Sequence, residues 1–428
     1  MKIGVAALAL VGVACLAWSH VAIAQSSNIA QLATQPGERI LAQYLTSKNV
    51  AELVATAEKG DLAATYLLFV HYDRGDVNRQ AADRWMAKLA STNTPAGRYA
   101  VALALYRPGV RNSGQKGVEI VDGAALPVSE QQAQIVELEA IAPQFPKAFA
   151  LLARIYSDGV WAPTDAAKAA QYLKQGALAG AASATLGLAE LTARDGGALV
   201  DIAQMADAAA AAGEPDGHVL GCAVYLEMGK SVEALKRCRA AADFGSSWAQ
   251  LTAGELLTRE PEQIAAALKY LSTAARAKDT TIADAASLIL ASIQLNAGGV
   301  AEATITLETA ALRNARAAWL LGRIHMDQRQ DIAEAEKWLA KALEMQSVDG
   351  PAVAFDLARA IRARQGDWTP LLKRAADGGH AQAAMALALE IATVSPLEAK
   401  TYATTAAADP AFKDRAASLI AYLDRSGR

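Results

Sequence analysis

Apolar side chains recur at helical spacing along most of this chain, and residues 148–180 show the unit of the pattern. Leu152, Ile155 and Tyr156 fall on one face of a first segment; Ala169, Tyr172, Leu173 and Leu178 fall on one face of a second. Between them Gly159, Pro163, Thr164 and Asp165 make a turn, with Thr164 or Asp165 placed to cap the second helix. Gly180 follows, where a left-handed C-terminal residue is tolerated. The spacing predicts a helical hairpin. Neither helix can bury its stripe alone, so the hairpin needs neighbours on both sides.

Those neighbours recur. Aligned on Tyr172, matching columns fall at Met205, Arg237, Tyr270, Thr306, Trp338, Leu371 and Tyr402, in steps of 31 to 36 residues, and upstream at Val136, Trp85 and Glu52. A period in the low thirties with two helices in each predicts an all-α protein, an α-solenoid. The aromatic members of the column keep one position on the second helix, which assigns them to the core rather than to ligand stacking. Variable positions beside the first-helix stripe are the better binding candidates. With first helices lining the concave side, Arg98, Arg154 and Arg323 are expected at the groove.

The unit resembles the Sel-one-like repeat, a relative of the tetratricopeptide repeat, through Leu152, Tyr156, Gly159, Asp165, Lys168, Ala169, Tyr172 and Gly180. Weaker units keep Leu321-Gly322 with Trp338, or Leu220-Gly221 with Gly245. The resemblance implies a right-handed superhelix of helical hairpins whose surface binds other proteins. It further implies one of two exported roles. The first is a periplasmic scaffold or adaptor in alginate-like exopolysaccharide biosynthesis and secretion, associated with an envelope secretion complex. The second is a periplasmic regulator that binds a sensor kinase. A third reading makes the groove a glycan- or peptidoglycan-binding module. The expected partners are other periplasmic or membrane proteins.

The expected organisation follows the pattern. Residues 1–24 read as a cleaved signal peptide: Lys2, an apolar run, then Ala22-Ile23-Ala24 before Gln25. Residues 25–35 form a polar leader and 36–145 hold helical repeats interrupted at 108–117 by Pro, Gly, Asn and Ser. Residues 146–409 carry the best repeats and 410–428 a C-terminal capping helix. Of the three cysteines, Cys15 lies in the apolar run, with a poor lipidation context. Cys222 and Cys238 sit nearly symmetrically about a turn at Gly229-Lys230. That puts them at one height on adjacent helices, with Gly221 permitting close approach, and in an oxidising compartment the pair is expected as a disulfide.

Charge removes other classes. The chain has 41 Lys and Arg against 44 Asp and Glu, net −3, so no broad basic field exists to attract nucleic acid. Neither a zinc-protease H-E-x-x-H, a Walker loop nor a G-x-S-x-G elbow occurs. Ser113 and Lys116 make an S-x-x-K without its companion motifs. His71, His218, His325 and His380 lie in separate repeats and read as surface or groove residues. The expectation is a protein without catalytic residues, metal or cofactor.

Overall fold

The structure, a computed structural model, describes residues 47–426 apart from 62–63, 66–67, 70, 73–77, 107–126 and 347–349. The signal and leader segments, Cys15, Ser113, Lys116 and the interruption at 108–117 lie outside the described residues. Those described form α-helices and turns with no strand. By contacts the chain divides into two compact units, one ending at Tyr270 and the other beginning at Leu271.

In the first unit the helices are α1 (Ser47–Glu58), α2 (Arg79–Ala90), α3 (Pro95–Leu105), α4 (Val128–Ile141), α5 (Lys147–Asp158), α6 (Ala166–Leu178), α7 (Ala182–Arg194), α8 (Leu199–Ala211), α9 (Pro215–Glu227), α10 (Ser231–Asp243) and α11 (Ser247–Leu257). The division falls within α12 (Ile264–Ala274). The second unit continues with α13 (Thr280–Asn296), α14 (Val300–Ala310), α15 (Ala315–Asp327), α16 (Ile332–Glu344), α17 (Gly350–Ala363), α18 (Thr369–Asp377), α19 (Ala381–Ile391), α20 (Pro396–Ala406) and α21 (Lys413–Ser426). From α2 to α11, and again from α13 to α21, each helix packs on the next. Short connections between sequential helices produce this antiparallel stacking. The repeat array is an α-solenoid, with odd-numbered helices from α3 onward as the first of each hairpin and even-numbered ones as the second.

Local chemistry explains where the helices start and stop. Of the two candidate caps before α6, Asp165 does the capping: its carboxylate accepts from the Lys168 amide at 2.9 Å. Asn314 and Asp331 cap α15 and α16 in the same way. Gly159 ends α5 in the left-handed region at φ 70°.

The core is a seam of alanine, leucine and the column aromatics. Trp85, Tyr172, Trp338 and Tyr402 are buried, and Tyr270 is half-buried. Their polar tips reach acids at the edge of the seam. The Tyr172 hydroxyl bonds Glu139, Tyr270 reaches Asp243 and Tyr402 reaches Asp377, each acid lying one second helix back, whereas the Trp338 indole N–H reaches Glu334 on its own helix. Two positions depart from the expected stripe. Val136 is 56 % exposed, because Ile135 and Leu138 turn to the core of α4 instead. Leu178, in the last turn of α6, is 90 % exposed, so the stripe ends at Leu173 and Gly176.

Cys222 and Cys238 are bonded across the hairpin of α9 and α10, with Cα atoms 4.9 Å apart and both side chains fully buried. Gly221 is not what allows that approach: a Cβ there would meet Arg237 Cγ at an ordinary 3.4 Å. The close contact is at Gly217, where a Cβ would fall 2.6 Å from the Ala206 carbonyl oxygen and the Ala210 nitrogen of α8.

Candidate functional site

The expected working surface belongs to the first helices. In the first unit α5 touches α7 and α7 touches α9; in the second, α15 touches α17. Among the described residues, successive second helices meet through long side chains, as Tyr172 meets Glu139, and their backbones do not come as close. First helices therefore form the tighter row in each unit, and side chains on their outer face are held close from repeat to repeat.

The three arginines expected on that row are half-exposed, and each is already paired within the chain. Arg98 on α3 binds Glu137 of α4 at 2.8 Å. Arg154 on α5 meets Asp158 one turn on, at 3.2 Å, and lies 5.7 Å from the Tyr106 ring centre. Tyr106 donates to the same carboxylate at 3.1 Å and packs edge-on against Trp161. Burial and the Asp158 charge push the Tyr106 hydroxyl well above the ordinary tyrosine range, so it stays a donor. Arg323 on α15 is 3.9 Å from Asp356 of α17. The three arginines share no partner.

Asp356 is the hub that sequence reasoning missed. Its carboxylate, buried between α15 and α17, accepts the Trp319 indole N–H at 2.8 Å and an Arg359 Nη1 bond at 3.2 Å, with Arg323 beyond. Arg359 also reaches Asp327 at 3.4 Å, and the Arg323 guanidinium lies 5.7 Å over the Trp319 ring. The sequence carried a signal for this. Asp356 stands 33 residues after Arg323, in the same repeat column, so opposite charges occupy one position in successive repeats.

Other ionisable groups are buried away from these pairs. Glu255 on α11 is 4 % exposed, and its Oε1 has no hydrogen-bond partner. Burial raises its carboxyl to about 7, against the smaller opposing effect of Arg259. The histidines are less superficial than expected. His71 and His325 are buried, while His218 and His380 are half-buried. Desolvation lowers the pKa of His218, His325 and His380. His380 Nδ1 accepts from the Ala383 amide and caps α19, beside an open, mostly polar depression bordered by Thr405, Asp409 and Phe412. Among the described residues no three His, Cys, Asp or Glu side chains converge as metal ligands, and no helix is long and apolar enough to cross a membrane.

No protein-family model and no curated protein matches the chain. Solved structures similar to it are Sel1-repeat and related helical-repeat proteins. One is c5321, a protective antigen of uropathogenic Escherichia coli with an SLR fold. It is 16 % identical, with 88 % of this chain and 91 % of that chain covered and a TM-score of 0.45. A Sel1 repeat protein from Oxalobacter formigenes is 21 % identical over 52 % of this chain and 99 % of its own, at a TM-score of 0.40.

Proposed function

We propose that this chain is a non-enzymatic scaffold that is exported to the periplasm and binds other proteins through its first-helix face. The observation that carries the reading is the row of closely packed first helices with arginine–acid pairs held half-exposed on it. Such pairs, oriented by one another, offer fixed donors and acceptors to a partner at small entropic cost. Export is supported by the apolar run with Ala22-Ile23-Ala24 and by the Cys222–Cys238 pairing. Within this reading, the Sel-one-like resemblance favours a place in an envelope complex that makes or secretes exopolysaccharide, ahead of sensor-kinase regulation. Glycan stacking on the column aromatics is disfavoured, because Trp85, Tyr172, Trp338 and Tyr402 are buried.

The test uses photo-crosslinking residues in the full chain inside cells. They are placed at first-helix positions 154 and 323 and at second-helix positions 236 and 302. Discrete protein adducts from the first pair are expected, on a chain whose N-terminus is Gln25. Adducts from the second pair alone would place the binding surface elsewhere, and an intact Met1 would remove the export step.

A further inference from the structure

Two first helices of the second unit, α15 and α17, are rich in arginine, whereas α13 and α19 carry one acid each and no base. Within their helical bounds α15 and α17 hold four arginines, two aspartates and no lysine, an excess of two positive charges. The packed first helices α7 and α9 of the other unit carry one arginine against three acids. Arg364 turns away to Glu336 of α16 at 2.7 Å, and Arg329 follows the end of α15. Arg316 and Arg323 lie two turns apart on one face of α15, while Arg359 and Arg362 lie one turn apart on α17.

Asp356 organises this face. Its carboxylate hydrogen-bonds Arg359 and the Trp319 N–H and attracts Arg323 on the neighbouring helix from 3.9 Å. Arg323 makes a single long contact there, which leaves most of its five donors for another acceptor. Arg362 is exposed and lies 4.6 Å over the Trp368 ring, which holds its plane. The two indoles are covered by the chain's own arginines, so neither is an open platform for a sugar ring. Guanidinium forks with free donors suit planar carboxylates, which they engage bidentately.

We propose that the α15–α17 face is a docking site for an acidic peptide segment of a partner protein, its Asp and Glu carboxylates engaging Arg323 and Arg362 with Arg316 and Arg359 beside them. This inference rests on the reading of first helices as the binding surface and names the partner's chemistry.

The probe is a fluorescein-labelled synthetic peptide of alternating Glu and Ala, titrated with the full chain and followed by anisotropy. A Gln-Ala peptide and a polyuronate oligosaccharide provide the other arms. The acidic peptide is expected to bind, more weakly as salt rises, and the Gln-Ala peptide not to bind. Arg323→Gln and Arg362→Gln should each weaken binding about 10-fold, the usual scale for an interface arginine. Arg323→Lys should recover only part of the loss, because it keeps the charge without the fork. Lys174→Gln and Lys236→Gln, exposed on second helices of the other unit, should leave the affinity unchanged. Circular dichroism and melting of each variant separate lost docking from lost folding, and Arg362, whose described contact is a ring face, serves if the Arg323 variant melts early. An acidic-peptide affinity indifferent to both variants overturns the proposal, as does polyuronate binding through the same arginines without peptide binding. If the peptide fails while crosslinks still arise at positions 154 and 323, the acidic chemistry is wrong and the first-helix surface stands. If those crosslinks also fail, the surface itself is wrong.

Discussion

Glu255→Gln makes the sharpest test of how burial acts in this chain. The carboxyl sits on α11 at 4 % exposure with one oxygen unpaired, and desolvation lifts it from an ordinary 4.5 to about 7. A folded-state pKa above the unfolded value means that the folded state holds the proton more tightly. Its contribution is therefore fully present below pH 4.5 and is lost as the pH rises through 7. The gap of roughly 2.5 units, at about 1.4 kcal/mol each, makes the ionised form about 3 kcal/mol costlier to keep folded. Glutamine has nearly the same shape and no charge to desolvate. Relative to wild type, Glu255→Gln should thus gain about 3 kcal/mol between pH 4.5 and 8, with most of the change before pH 7. Urea unfolding followed by circular dichroism at several pH values measures this, because every other titrating group cancels in the wild-type-minus-variant difference. A difference that stays flat with pH refutes the reasoning: Glu255 would then be ionised at no cost, solvated or paired in solution.

Two further outcomes follow from the packing. Trp338→Ala removes a column aromatic that is 8 % exposed and should cost about 3–5 kcal/mol in the second unit, melting its repeats ahead of the first unit; hydrogen exchange resolves the two, and an unchanged second unit would mean the column is not core. The Cys222–Cys238 bond closes a separation of 16 residues and should contribute about 3 kcal/mol on the loop-entropy account, so two titratable thiols in the denatured, unreduced mature chain would refute it.

Much of the fold was legible because a solenoid repeats its own instructions. Helical spacing, turn residues and a period in the low thirties are local properties, and the energy of such an array is largely a sum over neighbours. The hairpin of α5 and α6 and the pair Cys222 and Cys238 could be placed from spacing alone. Where local signals were ambiguous, packing decided. Val136 fits the column by counting, yet the neighbours of α4 select Ile135 and Leu138, one and two positions away, because a helix of this kind rotates to bury its best stripe. The α9–α10 approach does not need Gly221, and the glycine that a close contact does require is Gly217, which only the distance between α8 and α9 reveals.

The candidate surface was legible in kind but not in detail. Sequence identified Arg98, Arg154 and Arg323 as polar positions beside a stripe, and they are half-exposed on first helices. Their partners lie up to 39 residues away, on helices that only stacking brings near, as Glu137 does for Arg98. The same stacking buries Asp356 between two first helices and strands Glu255 without a second partner. Periodicity determines which residues face inward within one hairpin. Which charge meets which, and what burial does to it, is settled by the contact between repeats, because electrostatic and desolvation energies depend on distance and solvent access rather than on sequence separation.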